Sequence, residues 1–301
     1  MNLMKYKIWY FVFSLLIILP GLYFLITSGL RLGIDFTGGA LLEYSIEGSP
    51  KPEEVRNIIL NQGVEIGQIT QSESSYIIRT KPLEQEKINS IKTGLIEKFG
   101  RVEERRAEFV GPVIGNELRK KAFFALGLSS LAIVLYIAFS FRKVPKPASS
   151  WRFGIAAIVA LLHDVLLVVG VFAALGHFLG VEVDTLFITA LLTVIGFSVH
   201  DTIVVFDRIR ENLTKHIGKN FIAKQEARFI DVANLSVVQT LGRSLNTSLT
   251  VVFVLVALLL FGGETIKWFV VALLVGIISG TYSSIFNATA LLVWWEEKLG
   301  H

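Results

Sequence analysis

The chain has 301 residues, of which 52% are hydrophobic and 18% are charged, and its mean hydropathy is +0.60. Soluble domains are nearer a quarter charged, so this composition excludes an ordinary soluble protein. The net charge of +4 could suit nucleic acid, but the basic residues collect beside long apolar stretches, and we expect no nucleic-acid partner. The sequence has no cysteine, which excludes disulfide and thiol chemistry.

Six stretches are apolar over a length that could cross a membrane. A helix rises about 1.5 Å per residue and the hydrocarbon layer is about 30 Å thick, so a span needs about 20 residues. The six stretches are Ile8–Thr27, Ala122–Phe141, Phe153–Leu175, Thr185–Phe206, Leu245–Phe261 and Trp268–Trp295. The first is too long for a cleaved signal peptide and further spans follow it, so we expect a retained anchor. The sequence therefore predicts a polytopic α-helical membrane protein surrounded by lipid.

The polar segment 28–121, between the first two spans, is predicted to form a small α+β domain. Its expected elements are strands at Ala40–Ile46, Val64–Thr70, Tyr76–Thr80 and Val102–Val110, with helices at Val55–Asn61 and Leu83–Phe99. The order β-α-β-β-α-β is typical of ferredoxin-like folds. Segment 1–27 then holds the N-terminus and the first span, and segment 122–301 holds spans two to six with their basic loops.

The basic residues lie in segments that alternating spans would place on one side of the membrane. These are Lys5 and Lys7 before the first span, Arg142, Lys143, Lys146 and Arg152 after the second, and Arg208, Arg210, Lys215, Lys219, Lys224, Arg228 and Arg243 after the fourth. The positive-inside rule then predicts cytoplasmic termini, in a bacterial cytoplasmic (plasma) membrane, and an extracytoplasmic 28–121 domain.

The inner loop Arg208–Leu241 is too long for a bare connector. Its part Phe221–Val238 is amphipathic, which predicts a helix that lies along the cytoplasmic interface and packs against the spans. Recruitment of a cytoplasmic partner is the alternative.

Asp201 lies inside the fourth span, about seven residues or roughly 10 Å before the basic boundary at Arg208. A charge at membrane depth costs at least ~2.5–3.5 kcal/mol, so the carboxylate is expected to be paired, hydrated or protonated. Such a group suits a proton relay, with a static ion pair as the alternative. Arg243, which opens the polar first turns of the fifth span together with Asn246, is its natural cation partner or an ordinary membrane anchor.

The pairs His163-Asp164 in the third span and His200-Asp201 in the fourth invite a metal-site or intramembrane hydrolase interpretation. Adjacent helical residues point about 100° apart, so His200 and Asp201 cannot both face one point squarely. Neither span has the H-E-x-x-H spacing of helical zinc ligands. We therefore expect no metal, no other cofactor and no enzymatic activity, and we keep Asp164 as a candidate for the proton relay.

The sixth span carries Gly276 and Gly280, which are spaced as in close helix-packing motifs. Plain helix packing explains the glycines. Ser284 and Asn287 follow them and are candidates to line a polar path.

Two further segments carry a recognisable signature. The first is GIDFTGGALLE at Gly33–Glu43 after the first span, and the second is IGFSVHDTIVVFDRIRENL at Ile195–Leu213. Together with LGRSLNTSLT in the fifth span and GTYSSIFNATALLVWWE in the sixth, they resemble the SecF branch of the SecD/SecF protein-export family. The resemblance covers nearly the whole chain in the family's order.

The resemblance implies a six-span half of the resistance-nodulation-division architecture, with SecD supplying the other half. It implies an auxiliary role beside the SecY-E-G channel, in which the proton-motive force completes translocation of a polypeptide. By motif, Asp201 matches the family's proton-conducting carboxylate and Arg243 the arginine associated with it. His200 stands where asparagine also occurs, so the resemblance leaves its part in the relay open.

The motif Asp35-Phe36-x-Gly38-Gly39 matches the family's turn from the first span into the outer domain. Its role is structural, since glycine allows positive φ where the chain turns.

The alternative function is half of a proton-coupled exporter of lipids or small molecules on the same architecture. Such exporters carry two large outer domains in a much longer chain, which disfavours that alternative.

Overall fold

The structure is a computed structural model that describes residues 2–72, 75–142, 144, 149–223 and 229–299. Within those ranges six helices are long and apolar enough to cross a membrane, which confirms the six predicted spans. The chain divides into two compact units, residues 32–124 and residues 1–31 with 125–301. We call the second the helical unit.

The elements follow in chain order, with a π-helical segment inside the last span. They are α1 (Lys7–Thr27), α2 (Ile34–Thr37), β1 (Gly39–Ile46), α3 (Pro52–Asn61), β2 (Ile66–Ser72), β3 (Ser75–Thr80), α4 (Gln85–Phe99), β4 (Val102–Val110), α5 (Pro112–Ser140), α6 (Ser150–Leu179), α7 (Thr185–Ala223), α8 (Phe229–Phe261), α9 (Glu264–Tyr282), the π segment (Ser283–Ala288) and α10 (Thr289–Leu299).

The smaller unit has the predicted β-α-β-β-α-β order. Its four strands are antiparallel and lie in the order β2-β3-β1-β4. Because side chains alternate along a strand, Leu42, Tyr44 and Ile46 of β1 all point into the core. Residues of α3 and α4, among them Ile59 and Ile91, complete that core on the same face of the sheet.

The helical unit brings the two termini and the basic links to one end. Four contacts define this end: the Lys7–Glu297 ion pair, the Arg152–Glu296 ion pair at 2.7 Å, the hydrogen bond from Arg210 to the Ser140 carbonyl at 3.2 Å, and the bond from the Leu3 amide to Asn234 Oδ1 at 2.7 Å. We call it the basic end. At the opposite end, the Val183 amide donates to the Arg31 carbonyl at 2.7 Å. The spans therefore alternate in direction.

The predicted interfacial helix Phe221–Val238 is not a separate element. The helix α7 continues to Ala223, α8 begins at Phe229, and residues 224–228 lie outside the described part of the chain. The amide of Asn212 donates to Ser236 Oγ at 2.8 Å and to Gln239 at 2.9 Å, which joins the two helices beyond their predicted membrane ends. In the described part of that segment, Val232, Ala233 and Val237 are buried in the helical unit.

Removal of the hydroxyl group should affect stability in opposite directions at two buried tyrosines of the sheet. The Tyr44 hydroxyl has no hydrogen-bond partner among the described residues, and burial raises the pKa of Tyr44. The Tyr76 hydroxyl contacts the Pro50 carbonyl and accepts a bond from Gln71 at 3.1 Å. We expect Tyr44→Phe to leave the free energy of unfolding unchanged or raise it by about 1 kcal/mol, and Tyr76→Phe to lower it by about 1 kcal/mol. Denaturant unfolding of both variants tests this, and equal losses would contradict it.

Candidate functional site

Asp164 of α6 lies at the centre of a polar cluster and is fully buried. Its Oδ2 accepts hydrogen bonds from Ser198 at 2.5 Å and from Ser283 at 2.6 Å. Its Oδ1 accepts from Ser279 at 2.7 Å and lies 2.9 Å from Nδ1 of His163. Four polar groups from three parts of the bundle therefore surround this carboxyl group, which is the arrangement that a buried charge requires.

The serines reach Asp164 because α7 and α9 approach closely. A Cβ at Gly280 would lie 3.1 Å from Cβ of Ser198 and 3.6 Å from Oδ2 of Asp164. One turn earlier, a Cβ at Gly276 would lie 2.2 Å from a methyl group of Val194. The two glycines pack against α7, as the sequence predicts.

Asp201 of α7 has a different environment, although it is only 2% exposed. Ser248 of α8 is its neighbouring hydroxyl, and Ser248 is itself 2.6 Å from the Thr281 hydroxyl. The Oδ2 atom of Asp201 has no partner among the described residues, and neither has the hydroxyl of Ser244, which is also buried. This carboxyl group is therefore incompletely satisfied inside the chain.

Hydroxyl groups on α7 and the π segment extend the polar cluster around Asp164. Thr202 follows Asp201 and lies 2.8 Å from Ser284, and Ser284 donates to the Ser198 carbonyl at 3.0 Å. Ser198 in turn donates to Asp164. Ser284, a predicted candidate for a polar path, is thus linked through Ser198 to Asp164, and Asp201 adjoins this cluster only as the chain neighbour of Thr202.

Arg243 does not pair with Asp201 in this structure, contrary to the predicted partnership. Its side chain is exposed, and no ion pair involving it is found in the described ranges. The reason is the rotation of α8 about its own axis. Ser244 and Ser248, four residues apart, lie on the face of α8 that points into the bundle. Arg243 and Asn246 consequently face away from the chain's own bundle.

His200 is also exposed, although it adjoins the buried Asp201 on α7. Adjacent helical residues point about 100° apart, which explains the difference. Among the described residues, no group of three or more His, Cys, Asp or Glu side chains could hold a metal ion. The part of His200 in a relay stays a prediction.

The predicted turn motif lies in the smaller unit, around α2. Phe36 is buried, and Gly38 and Gly39 have φ values of +72° and +147°, as the sequence predicts. A Cβ at Gly38 would lie 2.9 Å from Cα of Pro112, and one at Gly39 would lie 2.6 Å from the Thr80 carbonyl oxygen. Both the conformation and the space at this turn therefore require glycine.

Sequence reasoning missed the serines of the Asp164 cluster and the role of His163 as a contact of that carboxyl group. Ser198 falls inside the fourth-span signature, and Ser279 and Ser283 are four residues apart on one helical face. This spacing of hydroxyls in an apolar span was the available signal.

Two family models match the chain. The one described as "Protein export membrane protein SecD/SecF, C-terminal" matches residues 91–298, and the "SecD/SecF GG Motif" matches residues 23–49. The protein translocase subunit SecF of Thermobaculum terrenum is 48% identical over 310 residues, with 99% of this chain and 94% of that protein covered. The SecF of Anaerolinea thermophila is 40% identical, with the same shares covered.

Longer relatives contain the same region. The protein translocase subunit SecDF of Bacillus subtilis is 35% identical over 96% of this chain, which spans 37% of that protein. A crystal structure of SecDF from Thermus thermophilus, a translocon-associated membrane protein, has a TM-score of 0.84 and 34% identity. This chain is covered to 99% and spans 39% of that solved chain.

The close approach of α9 to α7 predicts a specific steric effect. Gly276→Ala should lower the free energy of unfolding by about 1–3 kcal/mol, because the new methyl group overlaps Val194. The matched control is Gly196→Ala on α7, where a Cβ would meet nothing within 4 Å and should be neutral or slightly stabilising. Thermal unfolding in detergent measures both, and Val194→Ala should rescue the Gly276 variant. Equal stability of the two alanine variants would contradict the packing.

Proposed function

This chain belongs to the SecD/SecF family of protein export membrane proteins, and we propose that it uses the proton-motive force, together with SecD, to drive or complete protein translocation. The family assignment makes it a multi-pass inner-membrane protein and an auxiliary subunit of the Sec protein translocase. On this proposal the protein makes and breaks no covalent bond.

The observation that carries the proposal is the incomplete hydrogen bonding of Asp201. A carboxyl group at membrane depth is costly when ionised, and its buried Oδ2 has no partner among the described residues. Neighbouring hydroxyls on α8 and α9 can accept from a protonated carboxyl group or donate to an ionised one. Asp201 can therefore exchange a proton without rebuilding its surroundings, which is what a proton relay requires.

We further propose that SecD covers the outward face of α8. Arg243 and Asn246 are exposed there, next to the exposed apolar side chains of Leu245 and Leu249. An arginine in a span is costly when it faces lipid, so a polar or acidic partner is expected against it. SecD relatives fused to this region, as in the SecDF proteins, make SecD the natural occupant. Arg243 would then lie near Asp201, and its polar partner would be a group of SecD across the interface instead of a group of this chain.

The remaining assignments follow from the same family. We place the basic end in the cytoplasm, which puts both termini inside and the 28–121 domain outside. Its sheet order matches a ferredoxin-like fold, and the six spans would form half of a resistance-nodulation-division bundle beside the SecY-E-G channel. The translocating polypeptide would meet the outer domain.

The relay predicts that one proton-binding group is essential. Asp201→Asn keeps the shape of the side chain but cannot carry a proton, so it should abolish the part of export that depends on the proton gradient. Asp207→Asn, on the same helix and at the basic end, is the matched control and should retain it. Translocation of a preprotein into inverted membrane vesicles, with and without an uncoupler, measures both. Unchanged gradient-dependent export by Asp201→Asn would refute the relay.

If SecD covers the outward face of α8, a residue on that face should cross-link to SecD. Since the chain lacks cysteine, a single Asn246→Cys can be cross-linked without background. We expect a covalent adduct with SecD in native membranes. The control is Leu19→Cys on α1, which is also exposed and apolar in its surroundings. Adducts from Leu19→Cys alone, or at equal yield from both, would argue against the assigned face.

A further inference from the structure

A groove of about 250 Å³ lies between α1, α6 and the end of the sixth span, and we call it the α1–α6 groove. Phe11, Leu15 and Ile18 line it from one face of α1. Ala156 and Ala160 line it from α6. The two alanines are buried, whereas Leu15 is 53% exposed. The alanines therefore form the floor of the groove, and its rim reaches the surface of the helical unit.

The groove exists because α1 and α6 touch beyond it and stand apart along it. Where they touch, a Cβ on Gly21 would lie 2.9 Å from Cα of Gly170, which leaves no room for a side chain. Ile18 and His163 are the lining residues farthest from the basic end, and each glycine lies beyond them on its own helix. The groove is thus closed by this contact and extends from there toward the basic end.

The surface of the groove is apolar even where polar residues line it. Nδ1 of His163 is 2.9 Å from Asp164, and the Asn287 amide donates to Ser14 at 2.6 Å. Nε2 of His163 and Oδ1 of Asn287 are buried and do not reach the surface of the groove. Apolar cavities stay dry, so the occupant of this groove is an apolar group.

The depth and the size of the groove fit a lipid tail. Phe11 is the fifth residue of α1 and Ile18 is the twelfth, so the groove runs from roughly 6 Å to roughly 17 Å along the helix from the basic end. One leaflet of the hydrocarbon layer is about 15 Å thick. A length of about 10 Å of α-helix, about 10 Å across, would need roughly 800 Å³. The groove is therefore too small for a partner helix, whereas an extended acyl chain is slender enough to enter it.

The two helices that form the groove each carry a basic residue where it meets the basic end. Lys7 lies four residues before Phe11 on α1, and Arg152 lies four residues before Ala156 on α6. Residues four apart lie on the same face of a helix. Both basic side chains therefore continue the lining of the groove by one turn toward the membrane surface.

Basic side chains outnumber acidic ones at this end of the groove. Glu296 and Glu297 of α10 form ion pairs with the two basic residues just described. Lys5 and Lys298 are exposed at the same end and add two further positive charges. Excess positive charge at a membrane surface attracts anionic lipid headgroups.

We propose that the α1–α6 groove binds one acyl chain of an anionic phospholipid from the surrounding membrane. The chain lies on the alanine floor between α1 and α6, and the phosphate lies at the basic end beside Lys7 and Arg152. The lipid then fills the space that these helices leave open and joins them to the end of the sixth span. This site is separate from Asp201 and does not depend on the proposed use of protons.

Native mass spectrometry of the full chain with SecD, in detergent with equal amounts of dioleoyl phosphatidylglycerol and dioleoyl phosphatidylcholine, tests the site. Val159 lines the groove and Leu162 does not, although the two side chains are 45% and 54% exposed on α6. Val159→Trp should lose the retained phosphatidylglycerol, because the indole occupies the groove. Leu162→Trp is the matched control and should retain it. Equal retention by the two variants would overturn the site.

The same spectra test the charge of the headgroup. The wild-type chain should retain phosphatidylglycerol over phosphatidylcholine by roughly tenfold, and the double variant Lys5→Gln with Lys298→Gln should reduce that preference. Equal retention of the two lipids by the wild-type chain would overturn the anionic headgroup. A side chain of SecD is the other possible occupant. If Val159→Cys cross-linked to SecD in native membranes while the wild-type complex retained no lipid, SecD would fill the groove and the proposal would be wrong.

Discussion

The requirement that a carboxyl group inside an apolar bundle be hydrogen-bonded organises much of the helical unit. Asp164 comes from α6, but the hydroxyls that satisfy it come from α7, α9 and the π segment. Gly280 leaves room for this approach, because a Cβ there would lie 3.1 Å from Cβ of Ser198. Burial of one polar group therefore fixes the mutual position of three spans, which apolar packing alone would leave free to slide.

The two buried aspartates differ in how completely the protein surrounds them. Asp164 has a polar neighbour for each lone-pair direction that its oxygens offer, whereas one oxygen of Asp201 has none among the described residues. A complete set of donors holds a group in one state, and an incomplete set leaves it free to change. On our proposals, Asp201 exchanges protons beside the face of α8 that SecD covers, whereas Asp164 holds the helices together.

Much of the fold could be predicted because it depends on local patterns. Apolar length predicted the spans, and alternation with turn residues predicted the strands. The site was predictable only in part, because Asp201 and Asp164 are conspicuous in apolar helices but their hydroxyl partners are distant in sequence. Ser279 and Ser283 are 115 and 119 residues from Asp164. The outward direction of Arg243 depends on the rotation of α8 about its axis, which hydropathy does not determine.

The π segment in the sixth span has a consequence for the register of everything that follows it. A π turn holds one residue more than an α turn, so α10 is rotated by about 100° relative to an uninterrupted helix. If the same residues were wound as an uninterrupted α-helix, Trp295 and Glu296 would face away from Trp151 and Arg152 of α6. Deletion of one residue from the π segment would instead close the π turn and keep both contacts. The extra residue therefore sets the direction of the side chains of the last helix, and no hydropathy profile records it.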